Sequence, residues 1–137
     1  MSNTIQIAAF LQRSLPAMKK WGWGSRKREK LLMWLSWHVG RGNVCLVKEG
    51  ERIVAAGVAR RISNETDSRF SYATDEQGEI LFVEQVAAKN NRAFLNLLRY
   101  VIGRWPDCKK IMFHRGKSAS RNRIYPMNSF LRKAFNL

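Results

Sequence analysis

Glu84 is the residue in this chain whose setting most suggests chemistry. It interrupts an otherwise apolar run, Ile80-Leu-Phe-Val-Glu-Gln-Val86. Strand alternation would place Ile80, Phe82, Glu84 and Val86 on one face, leaving the carboxylate among apolar neighbours. Burial of that kind disfavours the charged form, which is one way a carboxylate becomes a general base. The competing reading is a structural glutamate, paired with one of the 25 basic side chains or emerging where two strands splay. His114 stands beside Arg115 and suits a base or a phosphate contact, although a lone histidine at a strand end is commonly structural. His38 closes a helix, where a positive charge suits the dipole, and is given no chemistry. No His/Cys/carboxylate cluster has metal-ligand spacing. There is no P-loop and no recognisable Ser/His/Asp setting.

The elements that must position Glu84 can be read around it. Glu79 to Val86 reads as a strand, Ala88-Lys-Asn-Asn-Arg92 as a basic loop, Ala93 to Arg104 as an amphipathic helix and Lys109 to His114 as a second strand. A strand, crossover helix and strand make parallel neighbours, and the loop after the first strand is where such sheets bind ligands. Upstream, residues 4–15 carry Ile7, Phe10, Leu11 and Leu15 at helical spacing, with Asn3 or Thr4 as cap. Ser25 caps a helix from Arg26 to His38 whose apolar face holds Leu31, Met33, Trp34, Leu35 and Trp37. Asn43 to Val47 and Arg52 to Ala59 form a hairpin around Gly50. Residues 63–78 make a long polar connection with a short strand expected near Phe70–Tyr72, and Tyr125 to Phe135 is expected as a closing helix with Pro126 in its first turn. The fold class is α+β with a mixed sheet, in a single domain spanning 1–137.

The charge is the compositional outlier. Twenty-five basic residues against ten acidic give +15, which predicts affinity for polyanions: nucleic acid, an anionic membrane surface or a phosphorylated cofactor. One cluster is Arg26, Lys27 and Arg28; another is Arg115, Lys117, Arg121 and Arg123, in a chain with no acid after Asp107. Both would contact nucleic acid on that reading, with Trp21 and Trp23 either stacking on bases or buried between helices. No nucleic-acid-binding motif is present, so such binding would be weakly specific and strongly salt-dependent. Cys45 and Cys108 are expected as buried free thiols. No apolar run is long enough to span a bilayer and no leader pattern opens the chain, so a cytoplasmic location is expected.

The element order, with Ile53-Val-Ala-Ala-Gly-Val-Ala-Arg60, Ile80-Leu-Phe-Val-Glu-Gln-Val-Ala87, and Ile111-Met-Phe-His114 followed by Arg121-Asn-Arg-Ile-Tyr125, resembles the Gcn5-related N-acetyltransferase (GNAT) superfamily. Within it, the chain is similar to small divergent members encoded by phages and prophages. The resemblance implies acetyl-CoA as cofactor and an unknown amine as acceptor, joined by direct transfer in a ternary complex. It implies Glu84 as base and Tyr125 as acid. Val86, Ala88, Lys89, Asn90, Asn91, Arg92 and Asn122 would hold coenzyme A, the Val86 amide polarising the carbonyl. The family's pyrophosphate loop is glycine-rich, whereas Ala87 to Ala93 contains no glycine; Asn90 and Asn91 tolerate left-handed backbone and Lys89 and Arg92 supply charge. The alternative is a non-catalytic basic protein of the same fold that binds nucleic acid or a virion component.

Overall fold

The computed structural model describes residues 2–15, 18, 25–113 and 123–136. The elements run α1 (Ser2–Ser14), α2 (Arg26–Gly40), β1 (Val44–Glu49), β2 (Arg52–Ile62), a 3-10 turn (Glu65–Arg69), β3 (Ile80–Ala88), α3 (Asn91–Arg104), β4 (Lys110–Phe113), β5 (Arg123–Pro126) and α4 (Met127–Phe135). The five strands form one sheet in the order β1-β2-β3-β4-β5. β3 and β4 are parallel, as a crossover helix requires, and the other neighbours are antiparallel. The sheet is mixed and the fold α+β, as expected.

Helices cover both faces. Ile7 and Leu11 of α1 and Leu31 and Leu35 of α2 pack over Ala56, Val58 and Ala87. Leu97 and Val101 of α3, with Trp105 just past its end, pack on the other face over Ala59, Leu81, Val83 and Ile111. Gly57 sets how closely α3 approaches: a Cβ there would stand 3.2 Å from Leu97 Cδ2. Cys45 and Cys108 are free and buried, and burial pushes the Cys45 thiol up to about 11. Among the described residues, no helix is long and apolar enough to cross a membrane.

Several local expectations give way. The closing helix begins at Met127, and Tyr125 and Pro126 belong to β5. Proline drives the residue before it into extended backbone, so Tyr125 stays in the strand, and an edge strand tolerates the missing N–H. No strand forms at Phe70–Tyr72, because successive turns (Phe70 N to Asp67 O at 3.1 Å, Ala73 N to Phe70 O at 3.2 Å) fold the chain there. β2 continues past Ala59 through Arg60 and Ile62, both fully buried. Met33, expected on the apolar face of α2, is 68% exposed, and His38 takes a core position on that helix.

His38 is held from both ring nitrogens. Asn43 Nδ2 donates to Nδ1 at 2.9 Å, so Nε2 carries the proton and donates to the Ser71 carbonyl at 2.9 Å. Trp34 and Trp37 meet the ring edge-on, and Tyr72 stacks on it. Burial, with a smaller contribution from the Arg60 charge, lowers its pKa from 6.5, although the Ser71 carbonyl opposes the shift. The helix-end charge anticipated for it is therefore absent. As pH falls below 6.5 the unfolded chain takes up a proton that the folded one refuses, so stability should decline on acidification from that point. One such group gives a slope of at most about 1.4 kcal/mol per pH unit. Urea midpoints between pH 7.5 and 5.5 should show this slope, and His38→Gln should flatten it.

Candidate active site

The sequence run that carries Glu84 is not a regular strand. Val58 pairs with Gln85 and Ala59 with Val83, so Glu84 is an extra residue on β3, a β-bulge. Bulges re-aim side chains and gather beside functional sites. Here the bulge splits the expected face: Val86 packs with Leu81 and Val83 on the α3 side, whereas Glu84 reaches back to the side of Phe82 and Arg60. Ile80, Phe82, Glu84 and Val86 thus do not share one face.

Nor is the carboxylate surrounded only by apolar groups. Arg60, with 0% of its side chain exposed, donates from Nη2 to Glu84 Oε1 at 2.8 Å; the Glu84 side chain is 16% exposed. The guanidinium lies over the Phe82 ring at 5.1 Å. It also donates to the carbonyls of Asp67 and Ser68, each at 3.4 Å, and of Ala73. One buried cation therefore compensates Glu84 and fastens the 65–73 segment to the sheet. That segment is tied again from α2, where Trp34 Nε1 and His38 Nε2 both donate to the Ser71 carbonyl. Sequence reading missed Arg60 and His38. The consecutive Arg60-Arg61 at the end of an apolar strand was the available signal for the first.

Between α2, Ser71–Tyr72 and the bulge lies a groove of about 590 Å3, lined by Lys27, Lys30, Leu31, Trp34, Tyr72 and Glu84 among others. Tyr125 is elsewhere. It pairs with Ile111, which pairs with Leu81, so its side chain lies on the α3 face and lines a separate pocket of about 510 Å3 with Phe113 and Phe130. The structure does not bring Glu84 and Tyr125 together. Of the basic residues considered for nucleic acid, Arg26, Lys27 and Arg123 are exposed. Arg28 is buried and donates to Gln12 Oε1 of α1, so it is a helix–helix contact and not a surface cation. Arg115, Lys117, Arg121, Asn122, His114, Trp21 and Trp23 lie outside the described residues.

β3 pairs with β4 only from Ile80 to Val83, partnered by Lys110 to Phe113. From Glu84 to Ala88 no strand pairs with that edge among the described residues. The bulge thus sits one residue beyond the last described β3–β4 pair, in the strand that leads into α3.

No family model matches the sequence, and no curated protein matches it. Solved structures do. The chain superposes on the GNAT-like decarboxylase GphF, in complex with isobutyryl-CoA, with a TM-score of 0.60 at 18% identity over 99% of this chain and 68% of that one. A candidate acetyltransferase from Staphylococcus aureus Mu50 matches with a TM-score of 0.56 at 16% identity over 82% of this chain and 74% of that one. The fold is that of the Gcn5-related N-acetyltransferases.

In this GNAT fold the loop between β3 and α3 is glycine-free. Neither Asn90 nor Asn91 is left-handed; Asn90 is extended and caps α3, accepting from Ala93 N at 2.9 Å. Lys89 N is used as well, donating to Val54 O at 2.8 Å. The amides of Asn91 and Arg92 meet no acceptor among the described residues. Helix N-termini of this kind favour phosphate, and the exposed side chains of Lys89 and Arg92 add charge. Val86 and Ala88 are half-buried on β3 beside the loop, paired with Gly57 and Ala55. The residues present fit a pyrophosphate held by two amides and two cations.

Proposed function

We propose that this protein is an acyl-CoA-dependent N-acyltransferase. The observation that carries the reading is the bulge at Glu84, which opens on a groove beside α2. The coenzyme would supply an acyl thioester, whose transfer to an amine forms a C–N bond and breaks a C–S bond. The amides of Asn91 and Arg92, with the Lys89 and Arg92 side chains, would hold its pyrophosphate. Backbone groups of β3 beyond Val83 would meet the amide-bearing arm. Glu84 takes the proton lost by the attacking amine. Tyr125 faces the other side of the sheet, so it would not supply the leaving group's proton. Arg26, Lys27 and Arg123 are exposed but Arg28 is spent inside, and no described feature favours nucleic acid as a second reading.

Thermal stability with acetyl-CoA tests the first step. At 100 times its dissociation constant a ligand adds about 2.7 kcal/mol. Acetyl-CoA should raise the melting temperature in about 0.2 M salt, a concentration that weakens non-specific polyanion binding, while ATP and a short duplex DNA should not. Equal shifts for all three would reduce the site to a polyanion surface.

A further inference from the structure

The groove beside Glu84 is electrically lopsided. Lys27, Lys30, Leu31 and Trp34 follow one another at helical spacing, so they form a single stripe along α2. Leu31 and Trp34 from this helix and Tyr72 from the facing segment make an apolar wall. Lys27 and Lys30 lie at the N-terminal end of the stripe, both exposed, and neither has a carboxylate within salt-bridge distance among the described residues. The acid that lines the groove, Glu84, is compensated by Arg60. Two cations are left over in a chain that already carries +15.

A simple apolar amine arriving as an ammonium ion would be repelled by this mouth. One that brings its own negative charge would be drawn in and oriented, the anion at the lysines and the nitrogen toward the bulge. We propose that the groove takes an apolar primary amine bearing an anionic group, a carboxylate or a phosphate, at the end remote from its nitrogen. The wall of Leu31, Trp34 and Tyr72 holds the body of the molecule. As the acceptor of an acyl group, this ligand rests on the transferase reading; as the occupant of the groove, it does not.

Calorimetric titration at low salt tests it, with 4-(aminomethyl)benzoate, the corresponding arylphosphonate, and the neutral-bodied 4-methylbenzylamine as probes. At least one anionic probe should bind about tenfold tighter than 4-methylbenzylamine, as two partly exposed charge pairs allow. The preference should vanish in Lys27→Ala/Lys30→Ala, whose fold is checked by its melting temperature because both side chains are exposed. Equal affinities in the wild type, or a preference that survives in the double variant, would overturn the proposal. Adding acetyl-CoA and detecting the N-acetyl product separates the two ideas. Selective binding without transfer removes the transferase reading and leaves the groove's ligand class standing. Transfer to 4-methylbenzylamine as efficient as to the anionic probes does the reverse.

Discussion

Arg60→Met is expected to lower stability by about 3–5 kcal/mol, the usual consequence of removing one partner from a buried ion pair. The melting temperature should fall by roughly 10–15 °C for a chain of this size. Arg60 has no exposed surface and serves four acceptors: Glu84 and the carbonyls of Asp67, Ser68 and Ala73. Methionine matches its length without any donor, so a carboxylate and three carbonyls lose one shared donor together. The damage should be local first. Trypsin should cut at Arg69 sooner than in the wild type, because the 65–73 segment would lose its tie to the sheet and keep those of Ser71 and Tyr72 to α2. Arg60→Met/Glu84→Gln should recover part of the loss, since the uncompensated carboxylate is removed. A single variant within about 1 kcal/mol of wild type would mean that water replaces the guanidinium and that the clamp is dispensable.

What could be read from the residues, and what could not, divides along physical lines. The crossover β3–α3–β4 was legible because its strands are apolar runs and its helix has a 3.6-residue stripe, patterns that come from burial on a single element. The bulge was not. It exists only in the pairing of β3 with β2, and its trace in sequence is the adjacent Glu84-Gln85 that interrupts the apolar run. Arg60 was hidden for a related reason: arginine is ordinarily exposed, and its burial depends on a counter-ion 24 residues away. His38 likewise depends on Ser71, supplied by a loop whose path no periodicity describes. The start of α3 was within reach, because Asn90 ahead of the apolar stripe is an ordinary N-cap. Tyr125 was misplaced through weighing Pro126 as a helix starter, when its stronger effect is on the residue before it. In each case the sequence pattern reports a residue's own element well and its distant partners poorly. The candidate site is built almost wholly from distant partners.

Glu84→Gln should lower turnover by about 100-fold or more, within the range that general bases contribute, while leaving the acetyl-CoA thermal shift nearly intact. The two functions of this carboxylate make the substitution informative. Glutamine retains an oxygen that can accept from Arg60 Nη2, so the clamp on the 65–73 segment should largely persist. What glutamine cannot do is take a proton from an amine. A base must be deprotonated to act, so the wild type should hold its turnover to lower pH than the variant, whose residual activity should follow only the free-amine fraction of the acceptor. The two properties separate cleanly: lost stability reports the ion pair, and lost rate with an acid limb moved to higher pH reports the base. If turnover and its pH profile are unchanged, Glu84 is only the counter-ion of Arg60. The amine would then shed its proton to solvent through the open groove, and the bulge would matter for the shape it gives β3 and not for the side chain it presents.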